Sequence, residues 1–519
     1  MKRRCLGLLC IVLGLVCAVP VQAEVRLSDV FSDHMVIQRD KPIFVWGWAD
    51  PEESVTVSFH GQTGTATADA DGGWLVPLDP IPAGGGSYTL TAKGSSEVHV
   101  RDILMGDVYL ASGQSNMEWK VLHSNDASME IANSYKPNIR LLQIPNRAST
   151  HMRAGFEADW KICAPEAVLG FSAVAYFFAR DLHEELKIPI GVIHASWGGT
   201  TVETWISGQS KAAQNSPAFQ ALKKQWDPVF ESHPTEILHY YNAMGDWLEE
   251  AYHGMTGAAS IPAFAQPPKT PLALTVFPSA PILCWNEMVA PLWRTGLSGV
   301  IWYQGESNAN RAYKYRDLFP TLIEDWREKF GQPRLPFFFV QLANFTEKVP
   351  NPADSNWAEL RESQMAALEL THTGMAVTID VGEAADIHPR DKQTVGKRLA
   401  LAARKVVYEQ NIIHSGPIYR SMRASDESIL LSFNFVGGGL GTAENQPLKG
   451  FAIAGENQKF KWAQASIQGN QIKVWNKDVP NPVAVRYGWA DNPDCNLYNK
   501  EGLPASPFRT DSWKLTTQP

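Results

Sequence analysis

Cysteine is scarce in this chain of 519 residues: there are six. Cys5, Cys10 and Cys17 lie within the first 23 residues, leaving Cys163, Cys284 and Cys495 widely scattered. So odd and dispersed a set supplies neither a disulfide framework nor a zinc site. One bridge is allowed, but the expectation for each thiol is a small buried hydrophobe. Positive charge is also short: 46 Lys and Arg stand against 54 Asp and Glu, a net charge of -8. With no basic surface to neutralise phosphates, nucleic acid is excluded as an expected partner. Long apolar runs are absent after the N-terminus, as are internal repeats and low-complexity tracts of functional weight. No Gly-x-Ser-x-Gly elbow surrounds Ser115, since Met117 occupies the second glycine position.

What is present at the N-terminus reads as an address. "MKRRC" is a positive n-region, Leu6 to Val19 an apolar stretch too short to span a bilayer comfortably, and "VQA" before Glu24 a small-residue cleavage site. Neither Cys10 nor Cys17 follows the small residue that a lipoprotein site wants. The expectation is a signal peptide over 1–23, export to the periplasm or cell exterior, and no membrane association after cleavage.

The remaining length suggests about three units. Residues 24–101 alternate and turn often ("VTVSFHG", "DGGWLVP", "SYTLTAKG"), which predicts an antiparallel β module. Over 102–412 apolar runs alternate with helical stretches. The runs are "VYLA" (108–111), "IGVIHA" (190–195), "GVIWY" (299–303), "FFFVQLA" (337–343) and "MAVTID" (375–380); helices are expected over 172–186 and 394–408. Near-continuous apolar strands between helices predict an α/β fold with a parallel sheet covered on both faces. Residues 208–275, polar, partly helical and then Pro-rich, read as an insertion or lid. Short strands return over 413–519 as a second β module.

In such a sheet ligands bind beyond the carboxyl ends of the strands. There the sequence places "GQSN" with Ser115, "SWGGT" with Gly198 and Gly199, "QGESN" with Gln304, Glu306 and Asn308, and "DIHPRD" with Asp386 and His388. Serine needs a base to become a nucleophile, and His388 is the residue type suited to that near neutral pH. Asp386, or a backbone carbonyl, can hold the imidazole tautomer. Donors for an oxyanion are available from Gly198, Gly199, Gln304 and Asn308. Singly each motif is ordinary loop text; together they assemble a serine esterase. Glu306 reads as structural, and Trp119, Trp197 and Trp205 as packing residues first and sugar platforms second. One His and two Asp make weak metal ligands, so no metal and no cofactor are expected.

Five segments in order, "SGQSNMEW", "SWGGTTVETWIS", "IWYQGESNA", "DIHPRDKQTVGKRLA" and "VRYGWADNPDCNLYNKEGLPASPFRTDSW", resemble the sialate O-acetylesterase family, a branch of the SGNH hydrolases. The resemblance runs from about Leu27 to Trp513. It implies a flavodoxin-like α/β/α catalytic domain, with the N- and C-terminal β segments packing as one accessory β-sandwich. It also implies Ser115 as nucleophile, His388 as base, and oxyanion donors from the Ser115 backbone, Gly198-Gly199 and the Gln304–Asn308 block. The family pattern puts Asp three residues before His, where this chain has Ala385, so Asp386 as third member and a Ser-His dyad both stand open. The implied substrate is an O-acetylated carbohydrate: sialic acid first, acetylated xylan second. Arg311 or Arg390 would meet a sugar carboxylate, with Trp119 beside them. A non-catalytic carbohydrate-binding protein is the alternative of another class.

Overall fold

The computed structural model describes residues 24–257, 268–269, 278–443 and 446–519. The expected signal segment and most of the Pro-rich part of the expected insertion lie outside them. The element that organises the chain is one long strand, Glu97–Gly113. Its first part pairs antiparallel with Tyr88–Lys93. Its second part, buried from Ile103 to Gly113, pairs parallel with Ile190–Ser196 on one side and Gly299–Tyr303 on the other. Phe337–Gln341 and Thr373–Val377 extend the sheet beyond Gly299–Tyr303, also in parallel. Burial of every residue in Ile190–Ser196, Gly299–Tyr303 and Phe337–Gln341 explains their unbroken apolar text.

Numbered by chain order, these five strands lie 2-1-3-4-5, the flavodoxin-like order, whose switch point falls between the first strand and the third. Two further strands widen the sheet: Lys136–Gln143, parallel to Ile190–Ser196, and Lys161–Cys163, antiparallel at the edge. Helices Ala173–Leu186 and Lys392–Val406 pack on one another and on the sheet; Ala312–Lys329 and Asn356–Met365 form a second group. Gly396 permits the first contact, because a Cβ there would stand 2.7 Å from Phe177 Cβ and 2.8 Å from Phe178 N. Within 208–275, residues Pro217–Gly257 form one long helix. No described helix is long and apolar enough to cross a membrane.

The two ends of the chain do not pool their strands into one sandwich. Among the described residues, the N-terminal strands pair with each other and with Glu97–Gly113, and the C-terminal strands pair only among themselves. Their cores are separate too: Val45, Val57 and Val76 belong to the same cluster as the α/β core, whereas Ile429, Leu431, Ile472 and Val485 form another. The physical reason is the continuous strand Glu97–Gly113, which fuses the N-terminal module to the central sheet. Cys163, Cys284 and Cys495 are all free thiols.

Gly113 ends the central strand with φ of 135°, and a Cβ there would stand 2.1 Å from the Tyr303 carbonyl oxygen. Only glycine lets the chain turn this close to the neighbouring strand. Gly113→Ala is expected to destabilise the protein by about 2 kcal/mol or more. Chemical denaturation measures this, and an unchanged midpoint would contradict it.

Candidate functional site

The turn after Gly113 sits at the switch point. Gln114 N–H donates to Tyr303 O at 3.0 Å, and the Gln114 side-chain oxygen accepts from Gly305 N and Ser307 N, both at 3.2 Å. These bonds tie the first strand end to the third. Ser115 then opens a short helix, Ser115–Glu118. Ser172, the cap of helix Ala173–Leu186, donates to Met117 O at 2.6 Å and accepts from Ala175 N, which fixes the turn from behind.

Half-buried Ser115 meets His388 here: Oγ lies 2.8 Å from Nε2, across 273 positions of sequence. Asp386 Oδ1 lies 3.3 Å from His388 Nδ1 and accepts the His388 backbone N–H at 2.9 Å. The structure thus offers a carboxylate, not a backbone carbonyl, to the second imidazole nitrogen. Trp119 stacks on His388 at 5.0 Å with rings 15° from parallel. That contact makes Trp119, itself half-buried, a support for the imidazole.

Beneath this pair lies a buried polar group that sequence reasoning did not assemble. Asn116 donates to Glu306 Oε1 at 2.6 Å and to Ile387 O at 3.0 Å, and its oxygen accepts from Lys392 Nζ at 2.5 Å. One amide therefore clamps the residue before His388 to the residue after Ser115. Lys392 is buried and Glu306 half-buried, and loss of solvation drives both toward neutrality: the ammonium falls to about 7, and the carboxyl rises above its usual range. Lys392 Nζ also lies over the rings of Tyr303 and Trp119, at 5.4 and 5.8 Å.

His388 is held below the ordinary histidine value by burial and by the Lys392 ammonium, with Asp386 acting in the opposite sense. A base works when neutral, so a depressed value keeps it competent at lower pH. The acid limb of kcat/KM is expected below about pH 6.5, the unperturbed histidine value. Lys392→Met removes the positive charge and should move that limb to higher pH. A pH profile that stays in place, or moves down, would contradict this electrostatic role.

The expected oxyanion donors divide. Gly198 lies against Ser115, but its N–H donates to Glu118 Oε2 at 2.6 Å. Gln304 Nε2 gives its hydrogens to Thr200 O at 3.2 Å and Asn308 Oδ1 at 2.7 Å, so this amide is committed to the loop structure. Gly199 N–H and the Ser115 backbone N–H make no loop bonds among the described residues. Asn308 Nδ2 donates one hydrogen to Glu203 Oε2 at 3.1 Å, leaving its second. Arg311 bonds Glu203 Oε1 at 2.5 Å, whereas the exposed Arg390 side chain has no described partner. Of the two cations considered for a sugar carboxylate, Arg390 is the unengaged one.

A serine-imidazole-carboxylate series at a switch point, with backbone and amide N–H groups beside it, is the apparatus of ester hydrolysis. The chain is a carboxylic ester hydrolase, and comparison with known proteins places it more closely. Residues 105–231 and 284–405 match the family model described as carbohydrate esterase, sialic acid-specific acetylesterase. The chain is 30% identical to the sialate O-acetylesterases of Homo sapiens and Mus musculus. These alignments cover 96% and 93% of it, and 96% and 94% of the relatives. A solved carbohydrate acetylesterase from Xanthomonas citri is 37% identical, with a TM-score of 0.79, over 94% of this chain and 100% of that one. The chain belongs to the sialic acid-specific acetylesterase family of carbohydrate esterases.

Proposed function

We propose that this chain is an exported serine esterase of the SGNH type that removes O-acetyl groups from sialic acids through an acetyl-Ser115 intermediate. The observation that carries the mechanism is the 2.8 Å contact between Ser115 Oγ and His388 Nε2. His388 takes the hydroxyl proton as Oγ attacks the acetyl carbon. The developing oxyanion is met by N–H groups of Ser115, Gly199 and Asn308. Collapse breaks the bond to the sugar oxygen, which leaves as a hydroxyl with the proton from His388. Water, deprotonated by the same imidazole, then cleaves acetyl-Ser115 and releases acetate. Asp386 orients His388 and steadies the imidazolium.

The sugar assignment follows the names of the curated relatives, and Arg390 supplies a cation for the sialate carboxylate. The Xanthomonas citri neighbour is named only as a carbohydrate acetylesterase, a description that an enzyme acting on acetylated polysaccharide such as xylan, the second reading, also meets. Export rests on the segment over 1–23, whose charge, apolar run and cleavage site are those of a signal peptide.

Acetate release from 9-O-acetyl-N-acetylneuraminic acid and from acetylated xylan, by wild type and Ser115→Ala, separates these readings. Release from the sialic acid by wild type alone is expected. Release only from xylan would transfer the assignment to the polysaccharide. No release from either, with an aryl acetate also untouched, would leave a carbohydrate-binding protein.

A further inference from the structure

The C-terminal β module carries an aromatic feature that ester hydrolysis does not use. Trp462 is 41% exposed, yet it is held firmly. Its indole N–H donates to Pro350 O at 2.8 Å, its carbonyl accepts from Asn476 Nδ2 at 2.8 Å, and its backbone pairs with Ala452. Exposing a large fixed ring forgoes the stabilisation its burial would bring. Two hollows meet at this ring and at Gly450, with volumes of about 330 and 400 Å³. Together they span the size of small-molecule sites, with room for a few sugar rings.

The walls are of mixed character. Phe460, Trp489 and Arg486 line the first hollow, with the guanidinium 4.3 Å from the Phe460 ring and 5.0 Å from that of Trp489. Asn492, Lys348, Lys449 and Asp494 line the second. The cations are largely spoken for: Lys348 and Lys449 pair with Asp494 at 2.9 and 3.4 Å, and Arg486 with Asp511 at 2.9 Å. A surface of paired charges around an exposed ring offers hydrogen bonds to hydroxyls and a flat apolar face, without the single-sign field that would select an anion.

Hydrogen bonds tie this module to the loop that carries His388. Asn492 Oδ1 accepts from Asn344 Nδ2 at 2.9 Å, and Asn344 Oδ1 accepts from Gly382 N at 2.7 Å, on the loop that leads to His388. Tyr498 OH reaches Asp380 Oδ2 at 3.2 Å, at the start of the same loop.

We propose that the groove centred on Trp462 binds a neutral oligosaccharide segment of the glycan whose acetyl groups the enzyme removes. A pyranose ring lays its C–H face on the indole, while Asp354 and Lys459, which line the first hollow, meet its hydroxyls. The inference rests on the carbohydrate specificity proposed above, but binding here requires no turnover, so the two fail separately.

The test uses the full chain with Ser115→Ala, titrated calorimetrically with lacto-N-neohexaose, the neutral core of a sialylated glycan, with xylohexaose, cellohexaose and mannohexaose, and with 3′-sialyllactose. Binding of at least one neutral hexasaccharide is expected. Adding Trp462→Ala should weaken it at least about tenfold, as removal of a central aromatic anchor does, and Trp462→Phe should restore part of the loss. In the wild-type background Trp462→Ala should leave aryl acetate hydrolysis unchanged, which reports an intact fold. No binding by any neutral hexasaccharide, binding of sialyllactose alone, or equal affinity with and without Trp462 would each overturn the proposal. Loss of aryl acetate hydrolysis in Ser115→Ala with binding retained is the result expected if both readings hold.

Discussion

Ser115→Ala is expected to lower kcat for acetate release by about 10⁴-fold or more, the scale seen when a serine nucleophile acting with its histidine is removed. The substitution deletes one hydroxyl whose described bond is to His388. It leaves intact the Gln114 bonds that shape the turn and the Ser172 bond that anchors it. The midpoint of thermal unfolding should therefore stay within a few degrees of wild type, and KM should change far less than kcat. Steady-state kinetics with a melting curve checks both. A loss below about tenfold with an intact fold would mean that Ser115 is not the group that attacks the acyl carbon.

The second large effect is expected at Asn116, which touches neither the serine hydroxyl nor the imidazole. Asn116→Ala removes the acceptor of the Lys392 ammonium and the donor to both Glu306 and the Ile387 carbonyl. Lys392 is buried and loses its described acceptor, while half-buried Glu306 and Ile387 each lose a donor; a buried polar group left unsatisfied costs about 1–3 kcal/mol, and more where charged. Stability should fall by roughly 3 kcal/mol on that basis, allowing for partial relaxation. Catalysis should fall as well, because Ile387 adjoins His388 and its carbonyl is no longer held. A displacement of the order of 1 Å at the base costs about 10²-fold in rate. Denaturant unfolding and kcat at a temperature well below the midpoint separate the two losses. Full activity in a destabilised variant would show that the clamp serves folding alone.

The parts of this site that the sequence displays are those whose chemistry is local. Ser115 and His388 stand in short motifs directly after apolar strands, so the rule that ligands gather at strand ends brings them together on paper. The strands themselves were legible because burial on both faces removes polar residues: Gly299–Tyr303 is "GVIWY" and buried throughout. Lys136–Gln143 escaped notice because it opens with Lys-Pro-Asn, exposed text that reads as a loop, although its later residues Ile139 to Leu142 are buried in the sheet.

What the sequence concealed are roles set by distant partners. Lys392 reads as an ordinary surface lysine at a helix start, and only the fold buries it against Asn116, 276 positions away. Gly198 has the unobstructed N–H that an oxyanion site wants, but Glu118 reaches it first, across 80 positions. Gln304 likewise has the right amide, and its position at the end of a fully buried strand turns that amide inward to satisfy Thr200 and Asn308. The accessory modules were misjoined for a related reason. Alternating strands announce β structure, but they do not say which sheet they enter, and the continuity of Glu97–Gly113 decides that.

The account stands or falls on whether Ser115 is an activated nucleophile. The most direct measurement is reaction of the wild-type protein with an alkyl fluorophosphonate, followed by peptide mass spectrometry and an assay of residual acetate release. Attack by Ser115 Oγ forms the O–P bond, expels fluoride and passes the hydroxyl proton to His388. One adduct per chain on the peptide carrying Ser115 is predicted, rising in step with loss of activity and absent from Ser115→Ala. Inactivation with the adduct on another residue, or undiminished acetate release with Ser115 fully modified, would contradict it.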